Sequence, residues 1–274
     1  MTGPMLQISG IRKTFGPGTA DEVRALRGVD LQIDEGSFVI VIGTNGSGKS
    51  TLLNAVAGTF PLDSGSILLD GTDITRWPEH KRARMIGRVF QNPFSGTAPT
   101  MSIAQNLALA ARRGRPRRFG WALKRRLRDE LRDRVGKLGM TLQDRLDQPI
   151  GTLSGGQRQA LTLLMASWLR PKILLLDEHT AALDPKGADL VVRLSEETIA
   201  RDRLTALMVT HSMSQAASLG DRLVMMHRGR VIHDFRGAEK QRLRADDLLA
   251  RFEDVRRADR LDESAAAMLR RLYV

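Results

Sequence analysis

The segment over residues 38–51, FVIVIGTNGSGKST, constrains the fold more than any other part of this sequence. Five consecutive apolar residues, 38–42, precede a glycine-rich stretch, and a helical pattern follows from Lys49 to Val56. A continuous apolar run of this kind is typical of a parallel strand that is buried on both faces, which requires an α/β arrangement. The sequence therefore predicts a buried strand, a tight glycine turn and a helix in direct succession.

The glycine-rich stretch matches the pattern G-x-x-x-x-G-K-[ST], which between a strand and a helix is typical of a phosphate-binding loop. Its backbone N–H groups would close around phosphate oxygens, Lys49 would reach the β- and γ-phosphates, and the Ser50 hydroxyl would hold Mg²⁺. The alternative is a turn that binds nothing. The candidate nucleotide-binding residues here are Gly43, Thr44, Asn45, Gly46, Ser47, Gly48, Lys49, Ser50 and Thr51.

Two further apolar runs, residues 173–176 and 204–209, also end on polar residues. Asp177 and Glu178 follow the first run, and His211 follows the second. Because the carboxyl ends of parallel strands meet at one edge of the sheet, these side chains should lie near the glycine loop. Asp177 could then hold Mg²⁺, and Glu178 could orient and polarise an attacking water. The alternative is that both acids merely cap the next helix.

The rest of the chain predicts three additions to this α/β core. Residues 6–13 and 29–33 alternate apolar and polar side chains, which indicates a small antiparallel sheet near the N-terminus. Helical patterns dominate between residues 93 and 148, which indicates a helical subdomain inserted in the core. Residues 227–232 are typical of a hairpin, and the tail over 237–274 carries helix-spaced apolar residues that suggest a packed helical appendage.

Composition limits the classes of protein that this chain can belong to. The 274 residues are 42% hydrophobic and 27% charged, as in a folded globular protein, and they include no cysteine. Disulfides, thiolate catalysis and cysteine-based zinc sites are therefore excluded. No apolar run approaches the length that crosses a bilayer, and the first residues do not resemble an export signal. We expect a cytoplasmic protein.

The net charge of +12 is concentrated in one segment, residues 112–128, which carries nine Arg or Lys and no acidic residue. A solvated helix face with its loop is one interpretation. Contact with anionic lipid headgroups or with a partner protein is a second, and nucleic-acid binding is a third. The segment has few aromatic residues for base stacking, so we expect no specific nucleic-acid partner.

The segment LSGGQRQ, residues 153–159, is typical of a helix start whose exposed N–H groups could bind an anion. Together with GTNGSGKST and ILLLDE it resembles the ATP-binding cassette (ABC) ATPases. The resemblance covers roughly residues 5–236 and implies a phosphate-loop NTPase α/β core with a parallel sheet, an N-terminal antiparallel β-subdomain and an inserted helical subdomain. It implies that Ser154, Gly155, Gly156 and Gln157 contact ATP bound at Lys49 of a second cassette.

Other positions match the family pattern one by one. Gln91 matches a glutamine that senses Mg²⁺ and the attacking water, and His211 matches a histidine that contacts the γ-phosphate. The segment with Asp184 matches a loop that crosses the dimer interface in the family, although Asp184 before Pro185 is also typical of a helix N-cap. Phe15 resembles the aromatic residue that stacks on adenine, or it is ordinary packing.

The implied catalytic residues are Glu178, His211 and Gln91, the metal ligands are Ser50, Gln91 and Asp177, and ATP with Mg²⁺ are the cofactors. The implied domains are a cassette over 1–236, with the helical subdomain at about 93–165, and the tail over 237–274. His179 departs from the family, which usually has proline there, so it is either a second histidine beside the γ-phosphate or a surface replacement. Thr44 also replaces a common proline.

Among ABC proteins, the segments around residues 94–99 and 179–182 resemble bacterial import ATPases, including the tryptophan/tyrosine type. The resemblance then implies a second cassette, in a homodimer or from a related chain. It also implies a separate integral membrane permease, a solute-binding protein, and a peripheral position on the cytoplasmic face of the inner membrane. The competing class is an ABC ATPase that acts on nucleic acid or ribosomes. That class usually has two cassettes per chain or long coiled coils, which this sequence lacks. A phosphotransferase outside the family would leave LSGGQRQ unexplained.

Overall fold

The computed structural model of the chain describes residues 3–114, 125–255 and 257. Near the N-terminus, alternating apolar residues form an antiparallel sheet in the order β2-β1-β4-β5. Its strands are β1 (Leu6–Phe15), β2 (Val23–Ile33), β4 (Ser64–Leu69) and β5 (Thr72–Asp73). The predicted pair 6–13 and 29–33 is therefore confirmed, and both strands extend further than the alternation indicated.

The second sheet has six strands in the order β10-β9-β3-β8-β7-β6. These strands are β3 (Phe38–Gly43), β6 (Ile86–Val89), β7 (Ile173–Asp177), β8 (Ala206–Val209), β9 (Arg222–His227) and β10 (Arg230–Arg236). All neighbouring strands are parallel except β9 and β10, which form the predicted hairpin. The carboxyl ends of β3, β6, β7 and β8 consequently share one edge.

The central strands are apolar throughout because both faces of this sheet are covered. Ile40 and Ile42 point into one hydrophobic cluster, whereas Val39 and Val41 point into another. The same alternation holds along β7 and β8. Strands that are buried on both faces leave polar side chains room only at their ends.

Helices cover the two faces of the sheet. They are α1 (Lys49–Ala57), α2 (Glu79–Arg82), α3 (Ile103–Ala111), α4 (Arg125–Gly136), α5 (Gly155–Ser167), α6 (Pro185–Asp202), α7 (Met213–Ser218) and α8 (Gly237–Arg242). Helices α3 and α4 lie in the region 93–148, where the sequence predicted that helices dominate, and α5 begins after it. The structure is an α/β fold with the predicted antiparallel sheet.

Two segments singled out in the sequence fall partly outside the described residues. Of the basic segment 112–128, residues 115–124 are not described, and the described part begins α4. In the tail, residues 245–255 are helical, and Leu248 and Phe252 are buried in the larger hydrophobic cluster. Residues 256 and 258–274 lie outside the described part.

Candidate nucleotide-binding site

The glycine loop joins β3 to α1 through a backbone path that larger residues would obstruct. A Cβ atom on Gly43 would lie 2.4 Å from the carbonyl oxygen of Met226, and one on Gly48 would lie 2.5 Å from that of Ala25. Gly48 also has a φ of +97°, which favours glycine. The N–H groups of the first turn of α1 have no acceptor within the helix, so the loop presents donors to an anion.

Lys49 lies within this loop and is 5% exposed. Its Nζ donates hydrogen bonds to the carbonyl oxygens of Gly43, at 2.9 Å, and Thr44, at 3.1 Å. Burial lowers the pKa of Lys49, and the nearby carboxylates of Glu178 and Asp177 act in the opposite direction. A buried cation that is held by weak neutral acceptors is well suited to a multiply charged phosphate ligand.

The side chains of Ser50 and Asp177 meet across the gap between α1 and β7. The Ser50 hydroxyl donates to Oδ1 of Asp177 at 3.2 Å. A hydroxyl and a carboxylate supply the oxygen atoms that Mg²⁺ prefers, so this pair fits the metal that the phosphate loop implies. These two residues, predicted from positions far apart in the sequence, would hold Mg²⁺ together.

The other oxygen of Asp177 faces a residue that the sequence reasoning missed. Oδ2 lies 3.6 Å from a terminal nitrogen of Arg88, which also donates to the side-chain oxygen of Asn54 at 2.5 Å. The guanidinium stacks on the ring of Phe90 at 4.4 Å. The available signal was a single charge inside the short apolar strand β6, and its partner could not be read from the sequence.

Glu178 follows Asp177 directly and takes a strained backbone conformation. Its φ is +45°, in the left-handed region, and its N–H donates to the carbonyl oxygen of Val209 at 3.0 Å. The carboxylate oxygen Oε1 lies 2.5 Å from Nε2 of His211. Because of the left-handed turn, the two acidic side chains point in different directions. Asp177 faces Ser50, and Glu178 faces His211.

Gln91 and Phe15 form no hydrogen bond to this cluster in the described part of the chain. Gln91 is exposed after β6, and no hydrogen bond within the described residues joins it to Ser50 or Asp177. Phe15, at the end of β1, is 40% exposed and contacts the edge of Phe60 with ring centroids 5.2 Å apart. Its exposed face leaves room for a planar ring to stack.

The segment LSGGQRQ, residues 153–159 and called the signature segment below, leads into α5. Ser154 is the N-cap: its hydroxyl accepts from the N–H of Gln157 at 3.3 Å, and the Gln157 side chain accepts from the N–H of Ser154 at 3.2 Å. The expectation of a bare helix end is therefore wrong in part, because a capping box pairs the N–H groups of Ser154 and Gln157. Both side chains form no hydrogen bond to residues 43–51 in the described part of the chain.

The glycines of the signature segment allow α5 to approach the start of α6. A Cβ on Gly156 would lie 3.3 Å from Cα of Gly187, and one on Gly155 would lie 3.1 Å from a methyl carbon of Leu183. Asp184 is the N-cap of α6, because its carboxylate accepts from the N–H of Gly187 at 3.2 Å. The N-cap interpretation of Asp184 is therefore confirmed, and Asp184 is also exposed.

The expectation of a surface replacement at His179 is wrong, because the residue is 1% exposed. The other expectation, a second histidine beside the γ-phosphate, stays a prediction. Its Nε2 lies 2.9 Å from the hydroxyl of Ser195 in α6, which in turn donates to the carbonyl oxygen of Val191 at 2.8 Å. Burial lowers the pKa of His179 to about 4. The imidazole replaces a packing residue and ties the segment after Glu178 to α6.

A second polar network lies beside the cluster and was also missed. The Thr210 hydroxyl donates to the side-chain oxygen of Gln215 at 2.8 Å, and the Gln215 amide reaches the Thr180 hydroxyl at 3.4 Å. This chain joins the residues after β8 to the residues after β7, and so supports both His211 and Glu178. Its members are common polar residues that belong to no motif, so the network could not be predicted from the sequence.

In the ranges 3–114 and 125–255, no helix has both the length and the apolar character needed to cross a membrane.

Known proteins that are similar to this chain are ATP-binding transport proteins. The family model described as ABC transporter matches residues 26–181. A tyrosine transport ATP-binding protein of Clostridioides difficile is 41% identical over 249 residues, which is 91% of this chain and 99% of that protein. A spermidine/putrescine import ATP-binding protein of Haemophilus influenzae is 34% identical over 254 residues, 91% of this chain but 62% of the longer relative.

Solved structures resemble the fold over most of its length. The dimeric structure of a post-hydrolysis ATP-binding cassette bound to ADP and Pi has a TM-score of 0.72 at 27% identity, with 85% of this chain and 98% of that chain covered. The cbiO1 protein from Clostridium perfringens, part of the ABC transporter complex cbiONQ, has a TM-score of 0.70 at 27% identity. That match covers 97% of this chain and 99% of the other.

Proposed function

The chain belongs to the ABC transporter family and is an ATP-binding ATPase of that family, and from this premise we propose that it drives import of a small solute, such as an amino acid. The observation that supports the solute class is the 41% identity to a tyrosine transport ATP-binding protein along nearly its whole length. The proposed domain division is a cassette over residues 1–236, with a helical subdomain at about 93–165, and a helical tail over 237–274.

The cluster at the sheet edge supports a division of roles in ATP hydrolysis. Lys49 would bind the β- and γ-phosphates, while Ser50 and Asp177, 3.2 Å apart, would hold Mg²⁺ with Gln91 as a further oxygen donor. When bound, Mg²⁺ supplies charge neutralisation for the phosphates. Glu178 would accept a proton from the attacking water, and His211, whose Nε2 lies 2.5 Å from the Glu178 carboxylate, would contact the γ-phosphate.

A second cassette is part of the proposal, because the described signature residues do not reach the phosphate loop of their own chain. Ser154, Gly155, Gly156 and Gln157 would contact ATP that is held by the residues 43–51 of a partner copy. The exposed Asp184 lies at the same surface and would meet its counterpart across a symmetric interface. Closure of two copies around ATP would place both halves of each site together.

A separate permease is the proposed membrane partner. A groove of about 320 Å³ lies between the core and the helical region, and its lining includes the exposed side chain of Leu109. A groove that is lined largely by apolar groups suits a short helix from another protein. The cassette would thereby lie on the cytoplasmic face of the inner membrane, with a solute-binding protein delivering cargo on the other side.

The variant Glu178→Gln tests the catalytic assignment. It should still bind ATP but hydrolyse it at least ~100-fold more slowly, because the amide cannot accept the proton of the attacking water. Steady-state turnover and ATP affinity by titration calorimetry would be compared with those of wild type. Near-normal turnover would remove Glu178 from this role.

The same variant tests the transporter assignment. Isolated from its own cells in mild detergent with ATP present, it should carry a stoichiometric polytopic membrane protein that mass spectrometry identifies. Lys49→Ala, which should lack the ATP-dependent closed state, is the matched control. Ribosomal proteins or nucleic acid in place of a permease would favour the nucleic-acid class and contradict the proposal.

A further inference from the structure

Arg88 lies between two features that are otherwise separate, the candidate metal ligand Asp177 and the proposed permease groove. Its side chain lines the 320 Å³ groove, and one terminal nitrogen lies 3.6 Å from Oδ2 of Asp177. Both side chains are largely buried, at 13% and 12% exposed. Charges at this depth are screened weakly by water, so the pair interacts more strongly than a surface pair does.

The remaining contacts of Arg88 hold its guanidinium in place from the side of the core. It donates to the Asn54 side chain at 2.5 Å and to the Thr59 hydroxyl at 3.3 Å, and it stacks on Phe90. Its Nε has no hydrogen-bond partner among the described residues and is shielded from solvent. Asp177 therefore shares its second oxygen with a cation that is itself anchored in α1 and β6.

The charges around the groove favour an anionic occupant. The charged residues of its lining are Arg88, Arg113 and Glu79, which leave one positive charge in excess. Burial lowers the pKa of Arg88, and the carboxylates of Asp177 and Glu79 raise it in turn, so both acids act on this one guanidinium. A carboxylate seated in the groove would compete with Asp177 for it.

We propose that Arg88 is a positioning residue that links the groove to the metal-holding carboxylate, so that an acidic segment of the permease in the groove raises the affinity of the site for the divalent ion. This inference rests on the proposed function, because it needs an ATP site with a metal and a partner in the groove. Arg88 neutralises part of the charge of Asp177. A carboxylate in the groove would draw the guanidinium away from Asp177 and leave more negative charge to bind the metal.

The first test measures metal binding without turnover. Mn²⁺ is titrated into the protein with a non-hydrolysable ATP analogue, and electron paramagnetic resonance counts the free ion. Arg88→Met should bind Mn²⁺ at least about fivefold more tightly than wild type, whereas Arg88→Lys, which keeps the charge, should stay close to wild type. Arg113→Met lies in the same groove without contact to Asp177 and should leave Mn²⁺ affinity unchanged. Equal or weaker Mn²⁺ binding by Arg88→Met would overturn the proposal.

The second test places a carboxylate in the groove by mutation. Leu109 is 56% exposed, so Leu109→Glu should fold, and Leu109→Gln is the uncharged control. Leu109→Glu should tighten Mn²⁺ binding and Leu109→Gln should not. In the Arg88→Met background the effect of Leu109→Glu should disappear. An undiminished effect there would mean that the new charge acts on the metal directly, and the link through Arg88 would be wrong.

Failure of this inference and failure of the proposed function give different results. If wild type binds the ATP analogue with Mn²⁺ but Arg88→Met matches it, only the role of Arg88 fails. If wild type itself binds neither, the nucleotide site of the proposed function fails first.

Discussion

We propose that two helix N-termini in this chain contact phosphate, and their surroundings differ in burial and in charge. The start of α1 is enclosed: Lys49 is buried, and the glycine loop before it is packed against the backbone of Ala25 and Met226. The start of α5 is open, because Ser154 is exposed and its first turn has a capping box in place of a cation. The start of α1 can hold an anion by itself, whereas the start of α5 needs a second protein surface to enclose the anion.

This contrast is the physical basis of the proposed pairing of two cassettes. An enclosed loop with a buried lysine gains affinity from desolvated charge, whereas an exposed helix end gives a weak contact until water is excluded. The segment over residues 177–184 joins the two regions. Asp177 at its start accepts a hydrogen bond from Ser50 in α1, and Leu183 near its end lies beside Gly155 in α5.

The largest expected effect tests whether the open end needs a partner copy. Ser154→Arg should leave ATP binding by the single chain intact but abolish the ATP-dependent dimer, because a long cation would fill the space of the facing phosphate. Light scattering of this variant in the Glu178→Gln background, with and without ATP, measures the association. A dimer that still forms with ATP would contradict the cross-chain role of α5.

The next effect concerns the joining segment and depends on pH. Burial lowers the pKa of His179 to about 4. As the pH falls, this imidazole therefore takes up a proton near the ordinary histidine pKa in the unfolded chain, whereas in the folded chain it stays neutral until about pH 4. The free energy of unfolding therefore has its full value, as far as His179 is concerned, above about pH 6.5. It falls by on the order of 3 kcal/mol as the pH drops towards 4.

Urea unfolding of wild type and His179→Gln, at about pH 7 and about pH 4, measures this contribution. The variant should lose less stability than wild type across that range, because it lacks the titrating imidazole. The exposed His80 supplies a control in His80→Gln, which should follow wild type. Parallel losses in wild type and His179→Gln would show that the imidazole does not titrate against folding.

A somewhat smaller effect is expected when the enclosed end loses its cation. Lys49→Ala should weaken ATP binding by about 10- to 100-fold, because it removes a charge-assisted contact with the phosphates. Titration calorimetry measures the affinity, and the urea midpoint checks that the variant is folded. Unchanged ATP affinity would rule out the assignment of the phosphate loop.

The smallest effect compares a glycine from each helix end. Gly43→Ala should cost about 2 kcal/mol of folding free energy, since its Cβ would lie 2.4 Å from a backbone oxygen that cannot move freely. Gly155→Ala should cost less than about 1 kcal/mol, because its Cβ would meet only a movable methyl group of Leu183. Urea unfolding without nucleotide measures both, and similar losses would break the distinction between an enclosed and an open helix end.

Most of the architecture could be predicted from the sequence because its signals are local. The apolar runs identified β3, β7 and β8, since a strand covered on both faces tolerates few polar residues. Strands β4 and β5 were missed, because β5 has two residues and β4 begins with serine and glycine residues that indicate a turn as readily as a strand. The hairpin turn was predicted at Arg228 and Gly229, and in the structure both residues have a positive φ.

The candidate site divides in the same way. The phosphate loop, the acids after β7 and the N-cap of α6 are contiguous motifs, so the sequence by itself predicted them, whereas the capping box of α5 was missed. Only the tertiary structure decided that Arg88 faces Asp177 and that His179 is buried against Ser195. The physical reason is that each of these contacts joins side chains from separate elements, and their meeting depends on how strands and helices pack rather than on any local pattern.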